Sequence, residues 1–304
     1  MRVRIGTFNI ENLFARFRFK DNISQDDIRR EKWTVDATRF IPFSSGKERI
    51  TAQAIGAIRA DILGLQEIEN MDTLKAFVRQ FRHFLPDGGY PYPLVIDGND
   101  RRLIDVGLLS RFPIDCIRTH QFDRTANGQH FIFSRDCLEI DVRLPHGKIL
   151  TVFVNHFKSM HEGRTETMPI RRLQAERLVE ILHERFGDDP GSAAWVVLGD
   201  LNDYLPSSAL EPLLKQPWLE NVIDRLRPDQ QWTHYYAGND KYHQLDFLLL
   251  SKSLATANPQ ALPTIERRGL PKRARQVTIP RFDGVGATFP KASDHCPVVI
   301  EIEV

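Results

Sequence analysis

Short apolar runs recur along the whole chain and constrain its fold more than any other feature. They are VRIGTFNI, DILGLQEI, DVGLLSRF, CLEIDVRL, ILTVFVNHF, WVVLGDL, LDFLLLS and PVVIEIEV. Each has the length and residue types of a β-strand, and polar or turn-forming residues bound it. We therefore expect the chain to build its core on β-sheets.

Helical periodicity fills several intervals between these strands. Apolar residues share a helical face in three stretches, containing Ile50, Ala54, Ala57 and Ile58; Met71, Leu74, Val78, Phe81 and Leu85; and Ile170, Leu173, Leu178, Ile181 and Leu182. Pro169 suits the first turn of the third helix, and Gly187 suits its end. The PHG turn after CLEIDVRL predicts an antiparallel hairpin. Interspersed strands and helices predict an α/β protein whose sheets are covered by helices.

The composition is that of a large soluble domain, with 304 residues, 41% hydrophobic and 27% charged. No low-complexity linker or fixed-period repeat divides the sequence, so a single domain over residues 1–304 is predicted. The net charge of +1 gives no strong overall field for attracting a polyanion. Nucleic-acid binding would depend on local basic patches, and the net charge neither supports nor excludes it.

The cysteines and the N-terminus bear on the compartment. Cys116, Cys137 and Cys296 are an odd number without metal-ligand spacing, which predicts reduced, buried thiols. The opening MRVRIGTFNI enters a strand at once, without an apolar run long enough for a signal peptide or a membrane span. We expect a cytoplasmic monomer.

Two long stretches, residues 15–47 and 253–292, lack clean periodicity. Long irregular segments in a compact domain are commonly functional loops. The first is a candidate lid or substrate-selecting segment. The second contains RRGLPKRAR, whose basic residues, Arg273 among them, could grip phosphates, although a solvated flexible loop is an equal alternative.

Polar side chains recur where the apolar runs begin or end. The positions are Asn9, Glu11, Glu67, His156, Asp200, Asn202, Asp246, Asp294 and His295. In an extended backbone, residues two apart point to the same side, as expected for the first two of these and for Asp200 and Asn202. Asp or Asn after a strand is often only a turn former, but charges placed repeatedly beside a core require a partner or a ligand.

The chemistry of this set indicates what it binds. Carboxylates without a cysteine cluster suit Mg²⁺ or Mn²⁺ rather than structural zinc. Amides can donate to phosphate oxygens, and a histidine beside a carboxylate can act as a general base. Together these groups predict hydrolysis of a phosphate ester.

The motifs FNIEN, LQE, GDLND, QLDFLLLS and SDHCPV, in this order, resemble those of the endonuclease/exonuclease/phosphatase superfamily. Its members include pancreatic-type deoxyribonucleases, apurinic endonucleases, neutral sphingomyelinases and inositol polyphosphate phosphatases. The resemblance implies an α/β four-layer sandwich of two mixed β-sheets flanked by α-helices, with the active site at one edge of the sheets.

The resemblance also implies roles for individual residues. Glu67 would be the principal Mg²⁺ ligand, with Asn9 in the phosphate and metal region. Glu11 takes a place where many members have Asp, and Asp294 resembles a metal or network carboxylate.

The remaining matched residues would carry the reaction. Asp200 and Asn202 would position the attacking water and hold the phosphate, while His295 would be the general base, oriented by Asp246. His156 matches the histidine of deoxyribonuclease-like and sphingomyelinase-like members, where apurinic endonucleases tend to carry tyrosine, and it would protonate the leaving oxygen.

Weaker candidates complete the substrate site. Asn155 and Lys158 flank His156 and could contact phosphate, and Arg101, Arg102 and Arg273 are candidate contacts to a nucleic-acid backbone. The leading hypothesis is a nuclease acting on DNA with Mg²⁺ or Mn²⁺. The alternatives are hydrolysis of a phospholipid, sphingomyelin or inositol phosphate by the same fold, and a binding module that has lost its chemistry.

Overall fold

Two six-stranded sheets organise the protein in a computed structural model that describes residues 1–15, 17–19, 40–42, 46–86 and 89–304. The first sheet has the order β15 (Thr264–Ile265), β16 (Val298–Glu303), β1 (Arg2–Leu13), β4 (Ile62–Ile68), β6 (Asp105–Ser110) and β5 (Tyr92–Ile96). The second has the order β11 (Leu219–Asn221), β14 (Asp246–Ser251), β10 (Trp195–Asp200), β9 (Ile149–His156), β8 (Cys137–Arg143) and β7 (Ile114–Arg118).

Both sheets are mixed. In the first, β1 runs parallel to β4 and antiparallel to β16; in the second, β9 runs parallel to β10 and antiparallel to β8. Two small two-stranded sheets, β2 (Phe17–Phe19) with β3 (Phe40–Pro42) and the hairpin of β12 (His234–Tyr236) with β13 (Lys241–His243), are separate from the large sheets. Most of the 15–47 segment, and with it the predicted lid, lies outside the described residues.

The helices are α1 (Lys47–Ile58), α2 (Met71–Gln80), α3 (Arg164–Phe186), α4 (Glu211–Leu214) and α5 (Lys252–Ala257). The first two pack on the outer face of the first sheet and the next two on that of the second, whereas Leu254 and Ala255 of α5 pack into the core between the sheets. None of the helices within the described ranges combines the length and apolarity needed to cross a bilayer.

Strand alternation divides the core into layers. On β4, Ile62 faces the space between the two sheets, whereas Leu63 faces α1 and α2. On β9, Val154 faces the space between the sheets, whereas Phe153 packs with Leu178 of α3. Each such fully buried aliphatic side chain stabilises the fold by about 1.5–3 kcal/mol. The order helix, sheet, sheet, helix confirms the predicted four-layer α/β sandwich.

Every apolar run singled out in the sequence forms a strand, and the PHG turn joins the antiparallel β8 and β9 as predicted. Four sheet strands, β5, β7, β11 and β15, were not predicted, and all four lie at a sheet edge. β11 and β15 are only three and two residues long, and β7 has only half-buried and exposed residues, so these three carry no strong apolar signal. The start of the third helix was wrong. It begins at Arg164, which places Pro169 inside the helix rather than in its first turn, while Gly187 ends it as predicted.

Candidate active site

A cleft of about 680 Å³ opens where the carboxyl ends of β1, β4, β9 and β10 meet the starts of β14 and β16. Residues from both sheets line it, including Glu11, Glu67, His156, Asp200, Asn202, Asp294 and His295. Asn9 and Asp246 lie directly behind this lining, hydrogen-bonded to residues of the wall. Residues from the two ends of the chain are therefore gathered in one cleft.

One local turn recurs at the strand ends that form the cleft. The backbone N–H of Glu11 donates to Asn9 Oδ1 at 3.0 Å, and that of Asn202 donates to Asp200 Oδ1 at 2.9 Å. Glu11 and Asn202 adopt left-handed backbone angles, with φ of 51° and 52°. The expectation of extended backbone at both pairs was therefore wrong: the side-chain-stabilised turn interrupts β1 at an irregularity between Asn9 and Leu13 and follows the end of β10 at Asp200. It brings Glu11, Asp200 and Asn202 to the cleft, with Asn9 directly behind them.

Glu67 reaches the cleft through a β-bulge. The register of β4 against β6 shifts between Gln66 and Ile68, and Glu67 has a φ of 68°. Such a conformation costs a non-glycine residue on the order of 1–3 kcal/mol, and bulges commonly redirect a side chain beside an active site. Here the bulge brings the Glu67 carboxylate within 3.3 Å of the Asn9 amide nitrogen.

His295 is held by a buried carboxylate. Its Nδ1 lies 2.9 Å from Asp246 Oδ2, which also accepts a hydrogen bond of 2.6 Å from Thr233 Oγ1. The other ring nitrogen, Nε2, lies 3.7 Å from Asp200 Oδ2 in the cleft. Burial alone would lower the pKa of His295, but the carboxylates of Asp246 and Asp200 outweigh burial and raise it well above the ordinary value.

The surroundings of the buried Asp200 carboxylate show that a cation fits this site. Burial raises the pKa of Asp200 to about 7. Its hydrogen-bond donors among the described residues are the Asn9 amide and the backbone and side chain of Asn202, none of which carries a charge. Carboxylate oxygens of Asp200 and Glu67 beside two amides form a hard, negatively charged donor set, which suits a divalent cation such as Mg²⁺ or Mn²⁺.

Glu11 and Asp294 are engaged with basic side chains. Lys291 Nζ lies 2.7 Å from Glu11 Oε1 and 3.9 Å from Asp294 Oδ2. Lys47 also pairs with Glu11, at 3.5 Å from Oε2. Burial would raise the pKa of Asp294, but His234 and Lys291 lower it below the usual range. Both carboxylates reach the cleft, and their roles as metal ligands stay predictions.

His156 lies deep in the cleft, with Nε2 3.6 Å from Asp200 Oδ2 and 3.9 Å from Glu67 Oε1. Burial and the nearby Arg135 guanidinium hold the pKa of this imidazole well below its ordinary value. A neutral ring can donate a hydrogen bond but is poorly suited to protonating a leaving group at neutral pH. The predicted role of His156 as a proton donor stays a prediction.

The sequence interpretation missed several residues of the cleft wall, among them Arg135 and His234. Arg135 is fully buried, lies 2.8 Å from Asp100 Oδ2 and donates to the Phe157 carbonyl at 3.2 Å. His234 faces His295 with ring centroids 4.6 Å apart. Arg135 lies just before the apolar run CLEIDVRL. It could therefore have been predicted in the same way as the other polar residues at strand ends.

The weaker substrate candidates divide. Arg102 lines the cleft. Arg101 and Lys158 are not among the described residues that line it, and Lys158 Nζ instead pairs with Glu162 Oε1 at 2.9 Å. Asn155 was wrongly placed in the substrate site: it adjoins His156 on β9, so strand alternation turns it to the opposite face, where its amide lies 3.4 Å from the Phe153 carbonyl.

The basic residues of the RRGLPKRAR segment contact the β12–β13 hairpin and the residues before it. Arg273 donates to the Ala237 carbonyl at 2.5 Å and to the Tyr235 hydroxyl at 3.3 Å. Arg267 donates to the Trp232 carbonyl at 2.9 Å and stacks over the Trp232 ring. These guanidinium groups hold the β12–β13 hairpin and the chain leading into it, so the predicted phosphate contact of Arg273 is not supported by its contacts.

Residues 6–295 match the Endonuclease/Exonuclease/phosphatase family. The chain belongs to this family. Members generally depend on a divalent metal ion and hydrolyse phosphate esters, so the chain is a phosphoesterase-type hydrolase. No curated protein sequence matches it significantly.

Solved structures share the fold. Truncated TDP2 from Caenorhabditis elegans has a TM-score of 0.61 at 15% identity, covering 100% of this chain and 98% of that chain. Beta toxin from Staphylococcus aureus has a TM-score of 0.61 at 15% identity, covering 98% and 99%. A mannosyl-6-phosphatase from Bacteroides thetaiotaomicron has a TM-score of 0.57 at 14% identity, covering 99% and 100%. At these identities the similarity establishes the fold alone.

Proposed function

We propose that this member of the family is a divalent-metal-dependent phosphodiesterase that cleaves DNA, with His295 as its general base. The observation that carries the proposal is that His295 lies between two buried carboxylates. Its Nδ1 is 2.9 Å from Asp246 Oδ2, and its Nε2 is 3.7 Å from Asp200 Oδ2. A histidine fixed in this way presents a single nitrogen to a water molecule in the cleft.

Proton removal follows from this geometry. His295 Nε2 takes the proton of the attacking water, and the Asp246 carboxylate stabilises the imidazolium that forms. Asp200 and Asn202 orient the water and the phosphate, since both are fixed by their shared turn. As the attacking water bonds to phosphorus, the P–O bond to the leaving group breaks, and the leaving oxygen takes a proton from solvent water. His156 donates a hydrogen bond to a phosphoryl oxygen.

The negative charge that develops on the phosphoryl group needs compensation. When bound by Glu67, Asp200, Asn9 and their neighbours, a divalent cation supplies Lewis-acid stabilisation of that charge. Arg135 adds a fixed positive charge from the wall, because its guanidinium is buried and anchored to Asp100.

Support for DNA as the substrate comes from the cleft wall. Arg102, Arg135 and Arg164 line the same cleft as the catalytic carboxylates, which suits a substrate with phosphates flanking the cleaved one. The complete set of acids, amides and imidazoles argues against a binding module that has lost its chemistry.

The test is a substrate comparison with purified protein. A labelled DNA oligonucleotide, sphingomyelin vesicles and an inositol phosphate are each incubated with Mg²⁺ or Mn²⁺, with and without chelator. We expect metal-dependent cleavage of the oligonucleotide and much slower turnover of the other two. Turnover of lipid or inositol phosphate without DNA cleavage would show that the substrate assignment is wrong.

A further inference from the structure

The β12–β13 hairpin has two different faces. Tyr235 and Tyr242 are cross-strand partners, and both pack with Trp232 in a cluster behind the cleft. Their neighbours alternate to the other face, so His234 and Tyr236 point into the cleft. The hairpin is thus a wall of the active site whose back is buried.

This wall begins at the general base. His234 forms an isolated backbone bridge with His295, and their rings are 4.6 Å apart. Tyr236 lies two residues further along the strand, a displacement of about 7 Å. A group next to the scissile phosphate would therefore meet Tyr236.

Tyr236 presents an open aromatic face. The residue is 55% exposed although it lines the cleft. A Cβ on Gly238 would come within 2.9 Å of the ring, so the Gly238 backbone packs closely against it. An exposed aromatic ring with a firm support and free surface is suited to receive a flat partner.

Planar groups continue along the wall. Tyr204 and His243 stack with centroids 4.2 Å apart and ring planes 17° apart. The Arg164 guanidinium lies 3.7 Å above the Tyr204 ring and is fixed by Asp203 at 2.6 Å. Tyr204, His243 and Arg164 line the same cleft, so the side beyond the general base is a surface of fixed planar groups.

We propose that this hairpin wall is a subsite for an unpaired nucleobase adjacent to the cleaved phosphate, with Tyr236 as the stacking residue. The inference rests on the proposed nuclease function and deepens it. A base inside a duplex is covered by its neighbours and by its pairing partner, so it must be unstacked to reach Tyr236. The favoured substrate is therefore single-stranded DNA or an unpaired end.

The test compares Tyr236→Ala, Tyr236→Trp and the control Tyr92→Ala, which removes another exposed tyrosine from the edge strand β5. Substrates are a single-stranded oligonucleotide and an abasic oligonucleotide with the same phosphates. Loss of base stacking should raise KM for the normal oligonucleotide about 5-fold or more in Tyr236→Ala, with kcat nearly unchanged. Tyr236→Trp should restore KM, and Tyr92→Ala should not alter it.

The abasic oligonucleotide isolates the stacking contact. Wild type should bind it as weakly as Tyr236→Ala binds the normal strand, and Tyr236→Ala should make no further difference. Equal KM values for wild type and Tyr236→Ala on the normal strand, or the same loss on the abasic strand, would overturn the subsite while leaving the nuclease function intact. Absence of DNA cleavage by wild type would instead overturn the proposed function, and the subsite with it.

Discussion

His295 Nδ1 lies 2.9 Å from Asp246 Oδ2, although 49 positions separate the two residues in the sequence. Asp246 cannot rotate freely, because Thr233 donates to the same carboxylate oxygen at 2.6 Å. The imidazole is consequently held with Nε2 toward the cleft, beside Asp200. This relationship supports the proposed role of His295 as the general base and contributes to its raised pKa.

Replacing the base should remove most of the activity. His295→Ala is expected to lower kcat by roughly two to four orders of magnitude, the usual loss for a positioned general base. His130→Ala changes an exposed histidine of a surface turn and serves as the control. Steady-state turnover of a phosphodiester checks the prediction, and near-normal turnover of His295→Ala would contradict it.

The pH dependence should respond to Asp246. The carboxylates of Asp246 and Asp200 overcome the effect of burial and raise the pKa of His295, so the unprotonated base becomes available only as pH rises through that pKa. Asp246→Asn removes one of these charges and lowers the pKa. The acidic limb of the kcat/KM profile should move to lower pH by about 1 unit or more, together with a fall in kcat from poorer orientation. An unmoved limb would show that Asp246 does not set this pKa.

Metal affinity should depend on the Glu67 bulge. Glu67→Gln removes a carboxylate charge with little change in shape and should weaken Mn²⁺ binding at least about 10-fold. Isothermal titration calorimetry measures this without relying on turnover, with the surface variant Glu176→Gln as the control. Wild-type Mn²⁺ affinity in Glu67→Gln would remove Glu67 from the metal site.

The free energy of unfolding should depend on pH through Asp105. Burial raises the pKa of this carboxyl to about 6 from its ordinary value of 3.8, so the folded state holds the proton more tightly than the unfolded chain. The free energy of unfolding therefore falls as pH rises from 4 to 6 and stays lower above that range.

Asp105→Asn should relieve this loss, since an amide oxygen can still accept the 2.8 Å hydrogen bond from the Gly98 N–H. The Tm should rise at pH 8 by on the order of 2 °C and change little at pH 4. Thermal melts of both proteins at the two pH values test this, and an equal shift at both would contradict the titration account.

The layered α/β class and the polar residues at the strand ends could be predicted because both have local signatures, whereas the four-layer sandwich and the roles of those residues were implied by the family resemblance of the motifs. Apolar runs identified the central strands, and polar residues at their ends identified His295, Glu67 and Asp200. The edge strand β7 escaped because its half-exposed residues resemble a loop.

Three features of the site could not be predicted, for separate physical reasons. Lys47 and Lys291, which pair with Glu11, come from segments without periodicity. The low pKa of His156 depends on burial and on Arg135, which no local motif records. Asn155 resembled a site residue only because it adjoins His156, and strand alternation turns it away from the cleft.

The most direct test of the central claim is the hydrolysis of bis-p-nitrophenyl phosphate by wild type and His295→Ala, measured with Mn²⁺ and again after chelation. If one cleft binds a cation and a phosphate beside a fixed imidazole, chelation should abolish turnover and added Mn²⁺ should restore it. Turnover by His295→Ala should be at least about 100-fold lower than that of wild type. Turnover that survives chelation, or that is equal in wild type and His295→Ala, would contradict it.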